Sequence, residues 1–115
     1  MNTQDFNTLL DRRLNLTREV LESKSKEYST DSDKLHNFKQ TSITEQITPA
    51  DAAHWFLTKH MTSYRDMLKG AREGKKYSQK MIDEKFGDII NYFILQEAIF
   101  TELYREDAEF GIYYQ

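Results

Sequence analysis

A carboxylate and an amide interrupt the apolar stretch EKFGDIINYFIL, Glu84 to Leu95. The steps from Glu84 to Asp88, Asn91 and Leu95 are four, three and four residues. On a helix this spacing puts Glu84, Asp88 and Asn91 on one stripe, with Phe86, Ile89, Ile90, Phe93 and Ile94 around them. A buried polar group without a partner costs ~1–3 kcal/mol, and a lone buried charge costs more. Asp88 and Asn91 therefore require a partner, a ligand or solvent.

A second polar line precedes it. Lys59, Ser63 and Asp66 share a helical face with His60 beside them, and Ala52, Trp55, Phe56 and Met67 form the apolar complement. Two such lines on an antiparallel helix pair predict one groove in which Lys59, His60 and Asp66 face Glu84, Asp88 and Asn91. Lys, His, Ser, Asp, Glu and Asn side chains together suit a phosphate-bearing, hydrogen-bonding ligand such as a nucleotide. A third constellation is KSKEYSTDSDKLHNFKQ, where Lys24, Lys26, Lys34 and Lys39 alternate with Tyr28, His36, Asn37 and Phe38. The lysines would neutralise phosphate, an aromatic face would stack on a base, and the Asn37 amide would read a base edge.

Each piece also has a plain structural reading. Lys59 with Asp66, or Glu84 with Lys80, makes a surface pair worth a few tenths of a kcal/mol. Asp88 meets a cation from the first helix, Asn91 sets helix register, and His60 is a partly buried structural histidine. Leu35 and Phe38 plug a satellite core.

The elements that must position these residues are helical. One Pro and four Gly are few for a β-rich chain. Phe6, Leu9, Leu10, Leu14, Leu16, Val20 and Leu21 recur near helical spacing, so a first helix is predicted over 6–28 with Asp5 as its cap. A short helix is expected over 33–40. Thr48-Pro49-Ala50-Asp51 combines a cap, a Pro at the first helical position and an acid three residues after the cap, and starts a helix over 49–69. Ser78 caps a last helix over 79–106, and an aromatic tail occupies 110–115. The expectation is a single all-α domain, a bundle of three long helices plus one short helix.

Length and charge set the remaining bounds. A chain of 115 residues buries roughly 65% of its unfolded surface in one core. Its net charge of −3 argues against a nucleic-acid binder. Without cysteine there is neither a disulfide framework nor a cysteine-based zinc site. No apolar run is long enough to span a bilayer and MNTQDFNTLL does not read as a signal peptide, so the expected location is the cytoplasm with no membrane partner. The last helix is apolar round most of its circumference, and the tail adds Phe110, Ile112, Tyr113 and Tyr114. That excess predicts a homodimer or a higher even-numbered oligomer; the alternative is a monomer with the tail folded back.

The run EKFGDIINYFIL resembles the signature helix of the MazG-like all-α nucleotide pyrophosphohydrolases, whose motif reads roughly E-E-L-G-D-V-L-W-Y. The wider pattern K-x-x-E-Y, N-F-K, K-H-x-x-S-x-x-D-M and E-K-x-x-D-x-I-N-Y resembles small phage-encoded proteins related to the nucleotide-modification-associated helical family. The resemblance spans about Lys24 to Leu95. It implies a helical bundle, often oligomeric, with a nucleotide-sized pocket. In the pyrophosphohydrolases two acidic pairs hold Mg²⁺. Here Lys85 stands where the acidic partner of Asp88 belongs, Glu84 is displaced by one residue, and the E-x-x-E that precedes it is Glu19 with Glu22 on the first helix. A lysine in an octahedral oxygen shell repels the metal. Non-catalytic binding or sequestration of a nucleotide or nucleotide-derived signal, with no cofactor, is the first expectation. A divergent Mg²⁺-dependent pyrophosphohydrolase using Glu19, Glu22, Glu84 and Asp88 is the alternative, and a helical protein-interaction module is a third. Counter-defence in a host cytoplasm fits such a phage-like protein, although no residue identifies the signal.

Overall fold

The computed structural model describes residues 1–23 and 33–107. Within them the chain forms four α-helices and no strand: α1 Thr3–Ser23, α2 His36–Glu45, α3 Pro49–Arg72 and α4 Gln79–Leu103. Among these residues no helix is long and apolar enough to cross a membrane.

The helix starts follow from short polar side chains that accept a free backbone N–H. Asn2 Oδ1 accepts the Asp5 N–H at 2.7 Å, so α1 begins a turn before the Asp5 cap expected from sequence. Thr48 Oγ1 accepts the Asp51 N–H at 3.0 Å, and Pro49 fills the first helical position. Ser78 Oγ accepts the Met81 N–H at 3.2 Å. At α2 the local chemistry differs. Asp33 Oδ1 accepts the Leu35 N–H at 2.9 Å, making a turn that delays the helix from the expected residue 33 to His36. The helix then continues to Glu45 and stops at Gln46, whose φ of 56° is left-handed. Ser42, fully buried, donates its hydroxyl to the Ile47 carbonyl at 2.5 Å and closes the corner into α3.

Helix α3 runs through Gly70 to Arg72. The Tyr77 hydroxyl donates to the Met67 carbonyl at 3.1 Å, and a Cβ on residue 70 would overlap that hydroxyl oxygen. Glycine at 70 is therefore a packing requirement. Gly74, at φ 85°, turns the chain toward α4.

Helices α3 and α4 are antiparallel. Gln96 Nε2 donates to the Ala50 carbonyl at 2.9 Å, His60 lies against Asp88, and Tyr64 against Phe86, so rising numbers on one helix meet falling numbers on the other. The core sits where α2, the first turns of α3 and the end of α4 meet: Leu35, Phe38, Ala52, Ala53, Ile99 and Leu103. Two alanines on the α3 side let the backbones approach, and Phe38 fills the space between. Burial of Phe38, Ile99 and Leu103 contributes about 1.5–3 kcal/mol each.

Lys39, 5% exposed, lies at the edge of this core. Its Nζ donates to Asp33 Oδ2 and Glu102 Oε1, both at 2.8 Å. Burial alone would lower the Lys39 pKa, but the two carboxylates outweigh it and hold the ammonium above its ordinary value. Burial likewise pushes Asp33 up, and the hydrogen bonds from Lys39 and the Leu35 backbone bring it below its usual range. At the far end of α4, Arg12 forms a two-pronged pair with Asp83, and Arg13 donates to the Asp83 backbone carbonyl at 3.1 Å. Hydrogen bonding from Arg12 and then Gln79 holds Asp83 down at about 2.

Two outcomes follow from these pairs. Lys39→Met leaves Asp33 and Glu102 without their cation, and should cost roughly 1–3 kcal/mol in a urea unfolding curve. Asp33 and Asp83 both have depressed folded pKa values, so their contribution is present above the ordinary value of 3.8 and is lost as pH falls through the folded values. Helical circular dichroism and thermal midpoint should therefore decline between about pH 4 and pH 2. Asp83→Asn should flatten the lower part of that decline.

Candidate functional site

The α3–α4 seam carries a continuous line of rings. Phe38 meets Phe56 edge-on at 5.9 Å between centroids, and Phe56 stacks on Tyr92 at 6.0 Å with 11° between planes. Tyr92 stacks in turn on the His60 imidazole at 5.0 Å. The line ends on a polar pair: His60 Nδ1 lies 3.4 Å from Asp88 Oδ2, and about half of the Asp88 side chain is open to solvent. The two groups are in close contact without a hydrogen bond between them, so each ring nitrogen of His60 keeps its capacity to donate or accept toward a ligand. Anchored by Tyr92 and Asp88, this imidazole is oriented before any ligand arrives.

The predicted residues divide on this geometry. His60 and Asp88 come together as expected, from α3 and α4. Lys59, Asp66 and Glu84 do not complete a single groove: all three are exposed, and none forms an ion pair or side-chain hydrogen bond among the described residues. The reason is angular. Lys59 is one residue before His60, hence about 100° round the helix, and Ser63 and Asp66 follow Lys59 rather than His60. Ser63 is half-buried. The expected cation for Asp88 from the first helix is replaced by His60, because Arg12 and Arg13 are engaged by Asp83. Phe38 is 1% exposed and packs in the core with Leu35, so its ring offers no face to a base; Asn37 is half-buried beside it. Lys26 and Tyr28 lie outside the described residues, as does the aromatic tail 110–115.

Asn91 is buried at 9% exposure, and its Oδ1 has no hydrogen-bond partner among the described residues. It stands four residues on from Gly87, where a Cβ would lie 2.8 Å from the Arg13 Nη1, so it belongs to the side of α4 that α1 covers. Thr17 of α1 is also buried, and its hydroxyl is likewise without a partner there.

Sequence reasoning passed over Asp83 and Tyr92. Asp83 precedes Gly87 by one turn, and the adjacent Arg12 and Arg13 were the signal for it. Tyr92 stands in no sequence pattern with Phe56 and His60, but it follows Asp88 by four residues and so shares the Asp88 face. A recess of about 620 Å³ lies elsewhere, along the end of α4 between Ile94, Ala98, Thr101 and Arg105, and no predicted site residue among the described ones lines it. Among the described residues no three of His, Asp and Glu converge closely enough to hold a metal ion.

Compared with family models, with curated proteins and with solved structures, the chain matches none.

The orphaned amide generates a measurable outcome. Asn91→Leu removes a buried oxygen without a partner and keeps the side-chain volume close, so the ligand-free protein should gain about 1 kcal/mol or more. A urea unfolding curve of the ligand-free protein that shows a loss instead would mean that the Asn91 oxygen is satisfied within the folded protein.

Proposed function

We propose that this protein is a non-catalytic binding protein, a helical oligomer of the cytoplasm that captures and sequesters a nucleotide or a nucleotide-derived signal at the α3–α4 seam. The observation that carries this reading is the His60–Asp88–Tyr92 arrangement. A fixed imidazole offers one charge-assisted or neutral hydrogen bond to a phosphate or a base edge. The half-open Asp88 carboxylate accepts from a ribose hydroxyl or an exocyclic amine. Exposed Lys59, one residue away, supplies a mobile cation for phosphate.

Native mass spectrometry of the protein purified from cells, followed by incubation with a nucleotide panel and Mg²⁺, tests it. The expected result is a retained mass of nucleotide size, and one nucleotide depleted from solution and recovered intact after denaturation. His60→Ala should weaken that binding about tenfold or more, the equivalent of one hydrogen bond to a charged group. Mg²⁺-dependent turnover that disappears in both Glu84→Gln and Asp88→Asn would overturn the non-catalytic reading in favour of a pyrophosphohydrolase. A helical interaction module without a small ligand is favoured instead by the apolar side chains left exposed on α1 and α4, and a panel with no binder would select it.

A further inference from the structure

The uncovered apolar surface is organised into two lines. On α4, Phe86, Phe93 and Phe100 stand seven residues apart and so share one line along the helix. Phe93 and Phe100 lie on neither packed side of α4, and Phe86 touches Tyr64 of α3 at the edge of the line. Gly87 lies under Arg13 of α1, while Asp88 and Tyr92 face α3. On α1, Phe6, Leu10 and Leu14 step by four, with Leu9 beside them. All seven side chains are between 40% and 57% exposed. Every residue from Met1 to Arg12 is exposed, and the first ion pair from α1 to another helix is Arg12–Asp83.

We infer that these two lines are a single interface between two copies of the chain, related by a twofold axis, in which the leading half of each α1 lies along the phenylalanine line of its partner's α4. A twofold operation brings the first surface onto the second and the second onto the first, so one contact covers two unlike stripes. Pairing like with like would cover one stripe and leave the other in water. The area agrees: seven half-exposed large apolar side chains at roughly 100 Å² each give about 700 Å² per copy, near the ~800 Å² per partner of a standard interface. The lengths agree as well, since Phe6 to Leu14 spans about 12 Å and fits within the ~21 Å from Phe86 to Phe100. The exposed leading half of α1, from Thr3 to Asp11, is too short to be stably helical alone in water, and docking onto a neighbour is what holds it helical. The inference specifies the assembly in the proposed function, and its failure would leave the ligand assay unaffected.

The chain has no cysteine, so introduced thiols report proximity without interference. Leu10→Cys protein mixed with Phe93→Cys protein and a short bismaleimide should give a covalent dimer, while either variant alone should give little. Sedimentation of the unaltered protein at micromolar concentration should show twice the 13.7 kDa chain mass. Leu10→Glu and Phe93→Glu should each return it to a monomer with helical circular dichroism retained. A protein that stays monomeric on concentration overturns the inference, as does a dimer that survives both glutamate variants. Efficient cross-linking of Leu10→Cys alone would show α1 pairing with α1 and overturn it too. If a glutamate variant loses its helicity, the cross-linking of folded protein still decides.

Discussion

An ammonium group almost closed off from water sets the geometry of the core. Lys39 cannot keep its charge at 5% exposure unless carboxylates replace the lost hydration, and the two that do come from different places. Asp33 belongs to the turn that starts α2, and Glu102 to the last turn of α4. Together they fix the rotation of α2 about its own axis. Phe38, the preceding residue, is thereby held between Ala52, Ala53 and Ile99. From there the order is transmitted through rings: Phe38 orients Phe56, Phe56 orients Tyr92, and Tyr92 orients His60 beside Asp88. The seam is pre-arranged because a charge far from it has to be satisfied.

Much of this architecture was legible where the determinant is local. The Thr48-Pro49-Ala50-Asp51 start and the Ser78 cap depend on residues within one turn, and both form as the residue types dictate. The start of α2 was misread because Asp33, a good cap by type, spends its carboxylate on a turn and on Lys39 instead. The site was legible only in part. A helical stripe states which residues share an arc, but packing decides which arc meets a neighbour. His60 and Lys59 are adjacent in sequence and only one of them faces α4. Asp83 escaped notice because its partners lie 71 and 70 residues away, beyond any periodicity.

Helix α1 is joined to the bundle chiefly by charge. Arg12 and Arg13 close on Asp83, and Gly87 gives the Arg13 guanidinium room that any side chain would take. The buried polar groups Thr17 and Asn91 add little attraction on their own. Leu16, Val20 and Leu21 in the second half of the α1 apolar stripe are half-buried, while Phe6, Leu9, Leu10 and Leu14 in the first half stay exposed. The radius of gyration, 16.7 Å, exceeds the ~13 Å of a compact chain this long, which is the same fact seen in the overall dimensions. The domain thus combines one small core with two open apolar lines.

Helix α4 is therefore divided by angle into three duties. One arc takes α1 through Asp83 and Gly87, a second takes α3 through Asp88 and Tyr92, and a third carries Phe86, Phe93 and Phe100. A surface used for assembly on the third arc leaves the His60–Asp88 pair unobstructed. The two arcs meet at one place. Phe86 packs edge-on against Tyr64 at 5.7 Å, and Tyr64 is one helical turn from His60 on α3. Any coupling between a neighbour on the phenylalanine line and a ligand on the imidazole has to run through that contact, or through rotation of α4 as a whole. A rigid helix with a shared core permits little rotation, so the Tyr64–Phe86 contact is what joins the two arcs.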